Sequence, residues 1–259
     1  MSSVLEFTKS DLVEELLILD GKKFSLDNYP FFREIYNGGH QNILLKTGRQ
    51  VSKSTTIANL ILVESSMIPY FKTMFIAPTE SQSLYFYYAR LKQSLMTADS
   101  MRKHLLSGPK VKNSVSVKHF ANGAHIVFRY ATDNPDRARG FTADRLCYDE
   151  IQDMHESIFP VINECTTMSE YGYKIYAGTP KSVENIIEVY WQDSSQNEWV
   201  IKCSHCNHYN VPSVDNIGTT GLICKKCGQS LNTRNGQWMS MSNNHKYFEG
   251  FHIPQIILP

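Results

Sequence analysis

Short β-prone runs alternate with helix-length stretches along most of the chain, and that alternation limits the possible folds more than any other feature. NILLK precedes STTIANLILVESSM, TMFIAP precedes ESQSLYFYYARLKQSLM, HIVFRY and RLCYD follow, and YKIYAG precedes VENIIEVYW. Parallel strands need crossover connections, usually helices, so this order predicts an α/β fold with a mainly parallel sheet and flanking helices. With 259 residues and 42% apolar composition, the chain can bury one large core or a core plus a small module. There is no repeat at solenoid length and no low-complexity tract. The largely apolar stretch from Ile57 to Val63 is too short to span a bilayer, and MSSVLEFTKSDLVEE lacks the basic-then-apolar order of a signal peptide. The chain therefore reads as cytosolic, with no membrane partner. A net charge of +1 gives no compositional argument for nucleic acid, and the locally basic run from Arg102 to Lys118 reads as a solvated face.

The texture turns polar at QDSSQNE, residues 192–198, which places a module boundary there. The expected organisation is an N-terminal segment over 1–40, an α/β core over 41–195, a cysteine-paired module over 196–240, and a return segment or linker over 241–259. The apolar, proline-punctuated ending GFHIPQIILP reads as a cut before further sequence.

Within the core, TGRQVSKSTT at 47–56 joins a strand to a helix and has the chemistry of a phosphate-binding loop without its usual glycines, which would fall at Thr47 and Ser52. What phosphate binding requires is converging backbone N–H groups, a lysine, a hydroxyl for Mg²⁺ and a helix N-terminus. Small residues at Thr47, Gly48 and Ser52 keep the loop permissive, Lys53 and Ser54 supply charge and ligand, and Thr55 begins a credible helix. The candidate ATP contacts are thus Thr47, Gly48, Arg49, Gln50, Val51, Ser52, Lys53, Ser54 and Thr55, in a fold of the P-loop NTPase kind. For KST alone the blander reading is a basic turn. A second motif changes that balance. RLCYDEIQD reads as a buried strand that delivers Asp149 and Glu150 at its C-terminal edge, where open α/β sheets bind ligands. In this reading Asp149 helps Ser54 hold Mg²⁺, and Glu150 polarises the water that attacks the γ-phosphate.

Together these residues resemble the bacteriophage terminase large subunits, the DNA-packaging motors. TGRQVSKST is similar to their divergent phosphate loop, NPDRARGFTADRLCYDE to their Ala-Arg-Gly segment running into the acidic strand, and YKIYAGTP to their coupling motif. The resemblance implies that Arg49 contacts or senses the γ-phosphate. It also implies that Arg139, rather than Arg137, is an arginine finger offered to a neighbouring subunit, an effect worth about 10³–10⁵ in rate. Thr179 would sense γ-phosphate loss and relay it, although AGTP alone reads as a strand exit. Tyr29, with Pro30 and Phe31, is the candidate adenine contact, although aromatic residues there are more often core. The implied partners are double-stranded DNA, a portal protein, a terminase small subunit and further copies in a homo-oligomeric ring, for a virus-encoded protein in the host cytoplasm. A nuclease domain is expected beyond Pro259.

CSHC at 203–206 and CKKC at 224–227 are separated by 17 residues, a spacing that suits tetrahedral Zn²⁺ held by Cys203, Cys206, Cys224 and Cys227. Two disulfides are the alternative, disfavoured in a reducing compartment. His205 and His208 are unnecessary beside four thiolates, and a closed site of this kind is structural. The lambda-like terminases carry a similar ribbon, and NGQWMS and GFHIPQ also resemble that branch, so the resemblance runs from Tyr29 to the end. Cys147 and Cys165 read as core thiols. Two rivals stay open at this point: a helicase fragment, since DEIQD also resembles the acidic motif of superfamily-one helicases, and a zinc-containing DNA- or protein-binding scaffold without catalysis.

Overall fold

In the computed structural model, which describes residues 7–108, 111–114, 116–131, 140–219, 221–243 and 247–258, eleven strands join in one sheet. They are β1 (Asn42–Thr47), β2 (Lys72–Ala77), β3 (Lys112–Asn113), β4 (Val117–His119), β5 (His125–Tyr130), β6 (Arg145–Asp149), β7 (Tyr173–Gly178), β8 (Asn197–Lys202), β9 (Tyr209–Asn210), β10 (Gly236–Ser240) and β11 (Glu249–Ile253). Their order is β9-β8-β11-β1-β7-β6-β2-β5-β4-β3, with β10 also paired to β8. From β8 through β11, β1, β7, β6 and β2 to β5 every neighbouring pair is parallel, and the antiparallel pairs lie at the two ends.

The central strands are buried on both faces, as parallel strands with helices on each side must be. Alternate residues separate into two cores: Ile43 and Leu45, Phe75, Cys147 and Ile175 on one side, and Leu44, Met74, Leu146 and Tyr176 on the other. The helices are α1 (Lys9–Leu16), α2 (Phe32–Asn37), α3 (Lys53–Met67), α4 (Glu80–Phe86), α5 (Gln93–Thr97), α6 (Asp99–Leu106), α7 (Ile158–Asn163) and α8 (Ile186–Gln192). The first core takes Ile57, Leu60 and Ile61 of α3 with residues of α1, α2 and α6; the second takes Phe159 of α7 and Ile187 and Trp191 of α8. Between α4 and α5 the helix widens to a π-turn over Tyr87–Lys92. Among the described residues, no helix is long and apolar enough to cross a membrane.

The sheet does not stop at residue 195. β8 and β10, placed by the sequence reading inside the cysteine module, are strands of the same sheet, and β11 inserts between β8 and β1. The cysteine segment is therefore an excursion between two paired strands, and the final segment returns into the sheet. Cys147 is buried, and that burial pushes its thiol up; Cys165 is buried as well.

Behind the sheet, α3 carries a glutamate with no exposure at all. Glu64 accepts from Nη2 of Arg145 at 2.7 Å and also from Arg145 Nε, and Lys9 of α1 adds a third bond at 2.7 Å. A buried ion pair stripped of one member leaves an uncompensated charge in a low-dielectric interior. Arg145→Leu is expected to lower stability by about 3–5 kcal/mol, read as a shifted midpoint in urea unfolding with an unchanged slope.

Candidate active site

Three parallel strands end level at the site. Lys46 of β1 faces Gly178 of β7, and Ala177 of β7 faces Asp149 of β6. This register brings the loop after β1, the AGTP turn after β7 and the acidic pair after β6 to the same carboxyl edge, where α/β sheets bind ligands.

The loop from Gly48 to Ser52 lies between β1 and α3. Gly48 donates its N–H to the carbonyl of Ile253 at 2.9 Å, and a Cβ there would lie 3.0 Å from the Gln255 nitrogen, a tight approach that glycine relieves. Gln50 and Ser52 both adopt left-handed backbone, with φ of 58° and 65°. Ser52 thus takes the conformation that a glycine would adopt at this place, at a cost on the order of 1 kcal/mol. It precedes the first turn of α3 without a side-chain cap, and that turn holds no acidic residue. The first N–H groups and the positive end of a 15-residue helix are therefore left to whatever occupies the loop.

Lys53 opens α3 and bonds through Nζ to Glu150 Oε1, with Asp149 Oδ1 at 3.6 Å. Ser54 donates its hydroxyl to Asp149 Oδ2 at 2.7 Å. Burial pushes the Asp149 carboxyl above its ordinary value, and the Lys53 charge and the Ser54 hydroxyl offset this only partly. A buried carboxylate beside a hydroxyl, both hard oxygen donors, could hold a divalent cation of the Mg²⁺ type. Glu150 itself has φ of 58°, so the chain turns abruptly after β6 and leaves its carboxylate between two cavities.

The larger cavity encloses about 620 Å³ and is lined by Arg49, Gln50, Lys53, Glu150, Gln152, Thr179 and Lys181 among others. The smaller, about 450 Å³, has Ser54, Asp149 and Glu150 on one wall and Gln82, Tyr85 and Arg90 on the other. Gln82 borders both, while its side chain closes a reciprocal cap with Thr79 at the start of α4. Lys181 pairs with Asp153 at the rim of the larger one.

Of the residues singled out in the sequence, Arg49, Gln50, Lys53, Ser54, Asp149, Glu150 and Thr179 converge here. Thr47 joins them from behind, donating its hydroxyl to the Gly178 carbonyl at 3.2 Å. Val51 and Thr55 are buried supports of the loop and the first turn. Tyr29 is not brought in. Its ring meets the edge of Phe31 at 6.0 Å, and Phe31, itself 1% exposed, packs against Phe32 and Trp199 in the first core. These aromatic residues fill the core and line neither cavity. Arg137 and Arg139 lie outside the described residues. Gln152, Asp153, Lys181 and Gln82 were not singled out; Gln152 stands inside the quoted DEIQD, and its signal was a polar side chain two places beyond the acidic pair.

At the far end of β8 the four cysteines meet, with every sulfur within 4.8 Å of the others. The Cys203–Cys227 and Cys206–Cys224 separations are both 3.6 Å, far beyond a disulfide and close to the edge of about 3.8 Å that a tetrahedron of ~2.3 Å metal–sulfur bonds would have. Asn207 and Gly228 occupy matching left-handed positions in the two knuckles. The four residues could hold a tetrahedral metal ion.

A family profile described as "Phage terminase large subunit gpA, ATPase domain" matches residues 21–244. The chain belongs to this family. Its fold matches the large terminase ATPase domain of Thermus phage P74-26, with a TM-score of 0.60 at 20% identity over 96% of this chain and 86% of that one. The HK97 bacteriophage large terminase matches with a TM-score of 0.58 at 11% identity, over 72% of this chain and 40% of that one. At such identities the likeness speaks for the fold. No curated protein sequence matches the chain. Membership selects the terminase reading over the helicase one: this is the ATPase part of a terminase large subunit, with an α/β sheet of the P-loop kind.

The left-handed backbone at Ser52 sets a test. Ser52→Gly should leave stability within about 0.5 kcal/mol, because relieved strain opposes added freedom in the unfolded chain, whereas branched Ser52→Val should cost about 1–2 kcal/mol. Thermal unfolding of both variants checks this.

Proposed function

We propose that the chain hydrolyses ATP with Glu150 as general base, and that a full-length terminase uses this reaction to drive double-stranded DNA into a procapsid. The observation that carries the reading is Lys53 lying against Glu150 and close to Asp149 at the mouth of an uncapped helix. The γ- and β-phosphates of ATP, seated on the loop N–H groups, would draw the Lys53 ammonium away from Glu150. The released carboxylate then accepts a proton from water as its oxygen attacks the γ-phosphorus, and the bond to the β–γ bridging oxygen breaks to leave ADP and phosphate. Ser54 and Asp149 would hold Mg²⁺, whose chemistry when bound is neutralisation of charge on the phosphate oxygens.

Arg49, on the loop and facing the larger cavity, is suited to contact the γ-phosphate, and Thr179 to register its loss. Arg139 is assigned as the finger supplied to a neighbouring subunit of a ring, as in the sequence reading. Portal protein, small subunit and DNA are the partners of the assembled motor, in the host cytoplasm, and DNA cleavage belongs to the full-length protein. Cys203, Cys206, Cys224 and Cys227 are assigned to one structural Zn²⁺, which would fold an excursion too small to build its own core.

Glu150→Gln should abolish turnover while ATP still binds, and Lys53→Ala should weaken binding itself. Equilibrium binding of a fluorescent nucleotide beside steady-state hydrolysis, with and without double-stranded DNA, separates the two; hydrolysis retained by Glu150→Gln would remove Glu150 from its role. Metal analysis of the purified protein should give one zinc per chain, and Cys224→Ser should lose it and unfold the excursion, seen as new proteolytic cuts between β8 and β10.

A further inference from the structure

One peptide unit beside the site is held from both ends. The carbonyl of Gly178 accepts from the Thr47 hydroxyl at 3.2 Å, and the N–H of Thr179 donates to Gln152 Oε1 at 3.0 Å. These two groups belong to the same planar amide, so they turn together. The other end of the Gln152 side chain donates through Nε2 to Glu150 Oε2 at 2.5 Å, with a longer contact of 3.3 Å to Asp153 Oδ2. Only one orientation of the amide satisfies both partners, since the carboxylate needs a donor and the N–H needs an acceptor. Gln152 is 9% exposed, and its main-chain carbonyl accepts from Asn185 Nδ2 at 3.1 Å, the side chain that caps α8. A Cβ on Gly178 would lie 2.4 Å from Gln152 Oε1, so the contact exists only because residue 178 is glycine.

Glu150 is therefore shared. Oε1 faces Lys53 and Oε2 faces Gln152. We propose that Gln152 is a positioning residue that transmits the state of the Glu150 carboxylate to the Gly178–Thr179 peptide, and through it to the turn leading into α8. The inference rests on the reading of Glu150 and Lys53 given above. When phosphates draw Lys53 off Oε1, Gln152 remains as the partner of Glu150, and any swing of that carboxylate turns the amide. The turn reaches Thr179 as a pull on its N–H and Thr47 as a pull on its acceptor. One side chain thereby links the residue that acts on water to the strand exit that must respond.

Amide hydrogen exchange at Thr179, measured with ADP and with a non-hydrolysable ATP analogue, reads the link directly. In the wild-type protein the two states should differ. In the nearly isosteric Gln152→Met variant the difference should vanish, with kcat lowered about tenfold and KM for ATP within about twofold. Gln152→Glu keeps an oxygen for the Thr179 N–H but sets a second carboxylate against Glu150, so it should keep Thr179 protected and still lose kcat. A Thr179 response that persists in Gln152→Met, or an unchanged kcat, would overturn the proposal. Glu150→Gln run in parallel separates the two ideas. If it still hydrolyses ATP, the reading of Glu150 fails; if it is inactive while Gln152→Met behaves as wild type, only the relay fails.

Discussion

A buried carboxylate fixes how the loop helix lies on the sheet. Glu64 sits three turns along α3 from Lys53, and its two oxygens take Arg145 at the start of β6 and Lys9 on α1. Burying those charges is costly, and the arrangement is stable only while the bidentate geometry and the additional cation are kept. The tie therefore holds the helix behind the phosphate loop at a set angle to the strand that carries Asp149 and Glu150. Both halves of the site, contributed from positions far apart in sequence, keep their spacing because the opposite ends of their elements are locked together.

Above that tie, the site is an arrangement of competing partners. Lys53 neutralises Glu150 and approaches Asp149, Ser54 binds Asp149, and Gln152 takes the remaining Glu150 oxygen. A ligand that brings its own negative charge would compete with these carboxylates for Lys53. The left-handed backbone at Ser52 and at Glu150 places both turns at the edge of the cavity, and such departures cluster where geometry serves chemistry.

The central strands were legible because each is a local pattern. NILLK, TMFIAP, HIVFRY, RLCYD and YKIYAG became β1, β2, β5, β6 and β7, since runs buried on both faces announce themselves without reference to the rest of the chain. The candidate loop stood out through its charges, Lys53 and Ser54 after a strand, and where a glycine is missing Ser52 adopts the left-handed backbone that glycine takes readily. What could not be read was pairing at long range. Nothing local marks β8 and β10 as continuations of the core sheet, nor β11 as the strand between β8 and β1. For Tyr29 and Phe31 the local sequence left adenine contact and core both open, and only the folded chain brings Trp199 against the Phe31 ring and Trp238 onto its carbonyl. Gln152 was passed over because its meaning depends on Thr179, a neighbour only after folding.

The placement of the cysteine segment has a consequence for how such chains diversify. Ile201 of β8 faces Gly236 of β10, so the segment between them starts and ends at neighbouring positions of one antiparallel ladder, with β9 inside it pairing back onto β8. A segment entered and left through adjacent backbone sites behaves as a cassette: lengthening it, replacing it or reducing it to a tight turn would leave the ladder in register. The candidate site begins at the end of β1, with β11 between it and this ladder. Relatives could thus vary the cysteine segment independently of the parallel sheet.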